Sequence, residues 1–432
     1  MKQISLLQIG DIHFDSINKS KLISGIDHKD QHFNGNLIKK INCNTICTTI
    51  LKKILREMQD SANKIIIFTG DLSNRGDQKT YETCVNFLQD RIPGSFFNPS
   101  SDSHIFIVPG NHDVDRNKVQ LIDDYIPKFE RINVILKELK FPEIPLDGIK
   151  FYNYQFNKCS IRFFSINSCI GCGEIRFFEK EITDQLKKSK LNKKNYDILD
   201  TPLIQSADIE QVKEEIEKDP NTLPVILAHH NLLPQKKPRI ALYAELLNGG
   251  YVRDELLKLN RPILFIHGHI HDDPIEVIES PVYKNAKVVC ISAPLLFPLL
   301  NDDQTNFGFN KIKLIFTDTG VPLGCEIEKI RSMNTRENDY PIRIPFVKPF
   351  ESHAYLSTID KIVLEQLRNM NSTFYFFELL DICKKNKKSI KSNTELNDCL
   401  IRLNWFGLIN YSDDQQCVNS PVDNRIIKKV IP

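Results

Sequence analysis

At 432 residues, with 41% hydrophobic and 26% charged, the chain has the composition of a soluble globular protein and is too long for one ordinary compact domain. A formal net charge of +2 creates no global field for nucleic acid or anionic lipid, so binding either would need a local patch. No apolar run approaches the roughly 20 residues of a membrane helix. Met1-Lys2-Gln3-Ile4 enters a strand-like run without a signal-peptide core, so a cytoplasmic protein with no membrane partner is expected.

In chain order, residues 3–9 read as a strand and 45–62 as an amphipathic helix with Ile46, Ile50, Ile54 and Met58 at helical spacing. Strand 64–69, helix 78–91, strand 104–108 and helix 118–139 follow. The run Ile161 to Ile166 is a strand, and the Lys-rich segment 180–200 reads as an inserted loop or helical excursion. Helix 206–218, strand 224–229, helix 240–259 and strand 262–266 continue the alternation. Strands 274–279, 286–292, 310–316 and 324–330 then come without helices between them. Alternation ending in consecutive strands predicts an α/β protein of two mixed sheets covered by helices.

Residues 335–350 carry three prolines without periodicity and are expected to link a domain over 1–334 to another over 351–432. In the latter, 355–370, 374–385 and 393–404 look like short helices. Trp405 to Tyr411 and Gln416-Cys417-Val418 look like a hairpin turning at Ser412-Asp413-Asp414. Three helices and a hairpin make a small winged helix-turn-helix-like plan. The lysines at 384, 385, 387, 388 and 391 form a basic cluster in an otherwise near-neutral domain. Nucleic acid and a protein partner are both open as its ligand.

Eleven cysteines, an odd number with no secretion signal, argue for reduced thiols. Cys169-Ile170-Gly171-Cys172 has the spacing of half a zinc site or a redox pair. No second such pair accompanies it, and small buried or loop thiols are the expectation.

Five strands end in metal-ligand residue types. The first closes in Asp11-Ile12-His13, where residues two apart at an extended strand end would converge. The second closes in Gly70-Asp71, followed by Ser73-Asn74-Arg75-Gly76. The third ends in Gly110-Asn111-His112-Asp113, the fourth in His229-His230, and the fifth in His267-Gly268-His269-Ile270-His271. Taken singly, each has an ordinary loop or capping explanation. Imidazole and carboxylate together suit manganese, iron, zinc or nickel rather than an all-oxygen cage.

Asp11-x-His13, Gly70-Asp71, Gly110-Asn111-His112-Asp113, His229 and Gly268-His269-x-His271 together resemble the ordered motifs of the calcineurin-like metallophosphoesterase superfamily, over residues 3–330. The resemblance implies a four-layer α/β/β/α sandwich with a dinuclear site at strand C-termini. It implies that one divalent ion takes Asp11, His13, Asp71 and His271, and the other Asp71, Asn111, His229 and His269, with Asp71 bridging. A hydroxide shared by the ions would attack the phosphorus, and His112 would sit over the leaving group as the acid. Arg75 is a candidate for phosphate contact.

Protein phosphatases of this superfamily carry an acid where Asn74 stands, to orient the histidine. Asp113 is the candidate substitute here. His230, His267, His28 and His32 are expected outside the ligand set. The motif set resembles the repair-nuclease branch, so phosphodiester hydrolysis in nucleic acid is the first reading. A cyclic-nucleotide or other small phosphodiester is second, and a non-catalytic regulatory or assembly protein is third.

Overall fold

The computed structural model describes residues 1–14, 49–60, 63–73, 76–98, 101–115, 127–146, 148–172, 202–234, 245–297, 307–332, 341–347, 356–368, 373–385, 390, 392–412 and 426–429. The expectations for His28, His32, Asn74, Arg75, the 180–200 segment and the lysines at 387, 388 and 391 lie outside these residues.

Two six-stranded mixed sheets form the centre. The first has the order β12-β11-β10-β1-β2-β3, built from β1 (Lys2–Ile9), β2 (Asn63–Phe68), β3 (His104–Ile107), β10 (Gly308–Phe316), β11 (Pro322–Arg331) and β12 (Ile342–Pro345). The second has the order β4-β5-β6-β7-β9-β8, from β4 (Ile149–Phe156), β5 (Cys159–Ile166), β6 (Leu223–Leu227), β7 (Pro262–His267), β8 (Ile275–Glu279) and β9 (Lys287–Ser292). Strands β1, β2 and β3 run parallel, as do β5, β6, β7 and β9. Each of these strands is apolar on both faces because both faces are covered.

Alternate side chains sort the layers. Leu7, Ile9, Ile66 and Phe68 face helices α1 (described over 49–59), α2 (Gln78–Gln89) and α3 (Pro127–Glu138). Their neighbours Leu6, Ile65, Ile67 and Phe106 face the second sheet and meet Phe163, Val225, Leu264 and Ile266. The Phe106 and Phe163 rings stack there with centroids 4.4 Å apart. On the far side Phe164, Ile226 and Phe265 pack on α4 (Ser206–Glu217) and α5 (Gly249–Lys258). The expected helix–sheet–sheet–helix order is present.

Some expectations change. β4 has no counterpart among the expected strands, because its mixed pattern is that of an edge strand. It turns into β5 through Asn157 and Lys158, both at positive φ (49° and 73°), without the glycine that marks such hairpins in sequence. Part of the expected linker, Ile342–Pro345, is strand β12, paired antiparallel with β11. The helix expected over 240–259 is described as Gly249–Lys258, with 245–248 in a turn.

The C-terminal residues run α6 (Thr358–Arg368), β13 (Thr373–Tyr375), α7 (Phe376–Lys385), α8 (Asn393–Trp405), β14 (Ile409–Ser412) and β15 (Ile426–Lys429). The strands form a three-stranded sheet in the order β13-β15-β14, with β14 paired to 426–429; the expected hairpin strand 416–418 lies outside the described residues. Leu364, Leu379, Leu400 and Trp405 share one core with Ile315 and Leu323 of the first sheet. A side chain at Gly324 would strike the Trp405 ring. A chain ending near residue 350 is therefore expected to expose this apolar face and lose stability. Each large side chain uncovered costs about 1.5–3 kcal/mol. A thermal melt of the shortened chain matching the full one would contradict this.

Candidate metal centre

The described loops after β1, β2, β3, β6 and β7 meet at one end of the paired sheets. Asp11, His13, Asp71 and His271 bring ligand atoms within 4.8 Å of one another, as do His229, His230 and His269. His13 Nε2 lies 2.9 Å from His271 Nε2, and His271 Nε2 lies 3.6 Å from Asp11 Oδ1. Asn111 Oδ1 stands 3.0 Å from His229 Nε2 and 3.2 Å from His269 Nδ1. Asp71 lies between the two groups. Its Oδ1 accepts the His112 backbone N–H at 2.8 Å, and its Oδ2 is 3.3 Å from His229 Nε2 and 3.7 Å from His13 Nε2.

The convergence is achieved by turns and not by the strand pleat. β1 ends at Ile9, and Asp11, His13, Asp71, His269 and His271 all take left-handed backbone, with φ of 50°, 49°, 52°, 74° and 56°. Such conformations cost a side-chain-bearing residue about 1–2 kcal/mol each. They persist because the loops are tied together: Asp11 N–H donates to Gly70 O at 3.2 Å and His13 N–H to Asp71 O at 2.9 Å. Strain concentrated at one cluster is a mark of function. The motif glycines allow the approach. A Cβ at Gly110 would fall 2.1 Å from Asp71 Oδ1, and one at Gly268 would fall 2.6 Å from Asp11 Oδ2.

Hydrogen-bond chemistry tests whether a cation fits. His229 Nδ1 lies 2.7 Å from the Thr69 carbonyl oxygen, which can only accept, so this nitrogen carries the proton. In a neutral ring Nε2 is then a bare lone pair, yet it faces the oxygens of Asn111 and Asp71. Asp71 Oδ2 is buried and accepts no hydrogen bond of good geometry. Acceptors pointed at acceptors need a positive charge between them, supplied by a second proton on His229 or by a metal ion, and the donor set fits divalent ions. Burial opposes charge on His229, but Asp71 beside it prevails and pushes its pKa up to about 9. Burial likewise opposes ionisation of Asp71, while His229, His112 and His13 hold its carboxyl well below the usual range.

His112 is partly exposed at the rim, its ring edge-on to that of His13 with centroids 4.7 Å apart. Asp113, the expected substitute for the acid missing at position 74, is engaged by backbone amides. Its carboxylate accepts Gly110 N–H at 3.0 Å, Leu72 N–H at 3.3 Å, Ser73 N–H at 2.8 Å and the Ser73 hydroxyl at 3.1 Å. It clamps the second motif loop to the third. Burial, then the nearby Asp71 charge, raises its pKa to about 6. Asp113→Ala would orphan three buried N–H groups at about 1–3 kcal/mol each. The variant should melt far below the parent, and an unchanged melting temperature would refute the clamp.

His267 is buried, with Nδ1 3.0 Å from Gly268 O, and burial lowers its pKa to about 4. The sequence reading missed a buried polar chain behind the fifth loop. Gln8 Nε2 donates to His267 O (2.9 Å) and Ile291 O (3.0 Å), and Asn310 Nδ2 donates to Gln8 Oε1 (3.0 Å). Arg331, itself buried, donates to Asn310 Oδ1 at 2.8 Å and to Asp273, just past His271. A glutamine inside the apolar run Leu6-Leu7-Gln8-Ile9 was the available signal.

Residues 4–273 match the model of the calcineurin-like phosphoesterase family, and the chain belongs to that family. It is a metal-dependent phosphoric ester hydrolase whose site suits two divalent ions. Similar solved structures include a dimetal phosphatase from Danio rerio, 10% identical, covering 79% of this chain and 99% of that one with a TM-score of 0.47. A purple acid phosphatase from yellow lupin (Lupinus luteus) seeds is 12% identical over 80% of this chain and 54% of that one, TM-score 0.40. A 5′-nucleotidase precursor from Thermus thermophilus is 11% identical over 76% and 54%, TM-score 0.38. A search of curated proteins returned no match. No described helix is long and apolar enough to cross a membrane.

Proposed function

We propose that the protein hydrolyses phosphodiester bonds in nucleic acid, with manganese as the preferred metal. The observation that carries this reading is the C-terminal element order, helix–strand–helix–helix–strand–strand with a three-stranded sheet, the plan of a winged helix. Lys384 and Lys385 close α7, and Lys428 and Lys429 are positions on β15, basic residues on a chain of little net charge. The shared core with Ile315 and Leu323 holds this unit beside the start of β1, since Ile315 pairs with Gln3. Asp11 follows the other end of that strand, about 26 Å away at 3.3 Å per residue. A polymer can reach across such a distance; a small ester cannot.

In this reading Asp11, His13, Asp71 and His271 would hold one ion, and Asp71, Asn111, His229 and His269 the other. When bound, the ions would supply an activated water and neutralise the phosphoryl oxygens. Asp71 fixes the separation of the two groups, because one of its oxygens is held by the His112 amide and the other faces both. His112 gives its ring proton to the departing oxygen, and Asp113 keeps the His112 loop in place. The net charge of +2 also fits a second reading, a small-molecule phosphodiesterase whose C-terminal unit contacts protein. Turnover with manganese on single- and double-stranded DNA, RNA, cyclic nucleotides and phosphomonoesters separates the two. Faster turnover of cyclic nucleotides than of any polynucleotide would overturn the first.

A further inference from the structure

Beside the His229 group lie three residues that the phosphoester chemistry leaves unused. Cys169 and Cys172 sit on the turn after β5, closed by a 2.9 Å hydrogen bond from Cys172 N–H to Cys169 O. His230 follows His229 on the loop after β6. Their two sulfurs and an imidazole nitrogen come within 4.8 Å of one another, and all three residues are sealed from solvent. We infer that Cys169, Cys172 and His230 form a further metal site of the zinc-binding class, separate from the dinuclear centre.

Two thiolates and an imidazole are the soft donor set that selects zinc. With Zn–S and Zn–N bonds of about 2.3 and 2.0 Å, donor atoms of a tetrahedral site stand roughly 3.5–3.8 Å apart. Cys169 Sγ is already 3.9 Å from His230 Nδ1. Ser168 Oγ, 2.9 Å from the same nitrogen, receives the His229 and His230 N–H groups at 3.2 Å each, so its lone pairs are taken and the two sulfurs and the imidazole are the donor set. The buried Lys128 ammonium donates to Ile170 O at 2.7 Å and Cys172 O at 2.6 Å. Its charge lies against the turn that carries both sulfurs and favours thiolate there. Metal binding releases one proton from each thiol. Cys169 Sγ is 3.3 Å from Pro109 O, the acceptor of its thiol proton until a metal displaces it.

A redox pair is the poorer fit, because exchange with a disulfide needs an accessible thiolate and neither sulfur is reachable. The metal would join the turn after β5 to the loop of His229. Through the Pro109 contact it would also lie against the loop of Asn111, so it would position both of those residues.

The test is cobalt(II) loading of the full-length protein. No residue proposed for the dinuclear centre carries sulfur, so a sulfur-to-cobalt charge-transfer band is expected only from this site. Cys169→Ser/Cys172→Ser should lose the band and one metal equivalent by elemental analysis while keeping the other metals. The unaltered protein's spectrum decides the matter even if the double variant misfolds. Absence of the band, an unchanged metal count in a folded variant, or a Cys169–Cys172 disulfide in the native protein would each overturn the proposal.

Discussion

Asp71→Asn is expected to strip metal from both positions and to lower turnover by at least ~10³-fold, since the lost charge stabilisation is worth several kcal/mol. The substitution keeps size and removes the charge. Asp71 Oδ2 lies within 3.7 Å of His13 Nε2 and 3.3 Å of His229 Nε2, so one carboxylate serves both groups. An asparagine here must also turn its NH₂ either toward the His112 amide, donor against donor, or toward the ring nitrogens. Either choice disturbs one half of the site. Metal analysis of the purified variant beside its turnover is the check. Two metals per chain at normal activity would show that Asp71 is not the bridge.

His112→Ala should separate chemistry from metal binding. The backbone amide of His112, and not its ring, holds Asp71, and alanine preserves that 2.8 Å bond. The variant should therefore keep its metals. It should lose about 10²–10⁴-fold in kcat on esters with poor leaving groups, the usual contribution of a positioned acid. Activated aryl esters, whose leaving groups depart without a proton, should lose much less. An equal loss on both substrate classes would mean that the ring positions substrate and donates no proton.

The same residues show how much of the site could be read directly. Gly70-Asp71, Gly110-Asn111-His112-Asp113 and Gly268-His269-x-His271 are each contiguous, so their chemistry is local and legible. Apolar runs such as Ile65 to Phe68 reveal strands covered on both faces, and through them the layered fold. The role of Asp113 was not legible. It was expected to stand in for the acid missing at Asn74, whereas the bonds of its carboxylate to Ser73 and Gly110 depend on loops that only folding brings together. The geometry of Asp11-Ile12-His13 was also misread, because residue spacing does not distinguish an extended strand end from two residues at positive φ.

By its own order, then, the sequence determined the residue types at the candidate site, the strands that carry them and the family to which the chain belongs. Tertiary structure decided what depends on separation along the chain. Cys169 and Cys172 are an ordinary pair until His230, 58 positions beyond Cys172, is folded against them. Gln8 is an odd residue in a strand until Asn310 and Arg331 reach it from β10 and β11. The stretch before the C-terminal helices reads as a tether until Ile342–Pro345 pairs with β11. The physical reason is common to all three. A ligand set, a buried polar chain and a sheet edge are satisfied by partners, and partners are brought together by packing rather than by neighbouring positions in sequence.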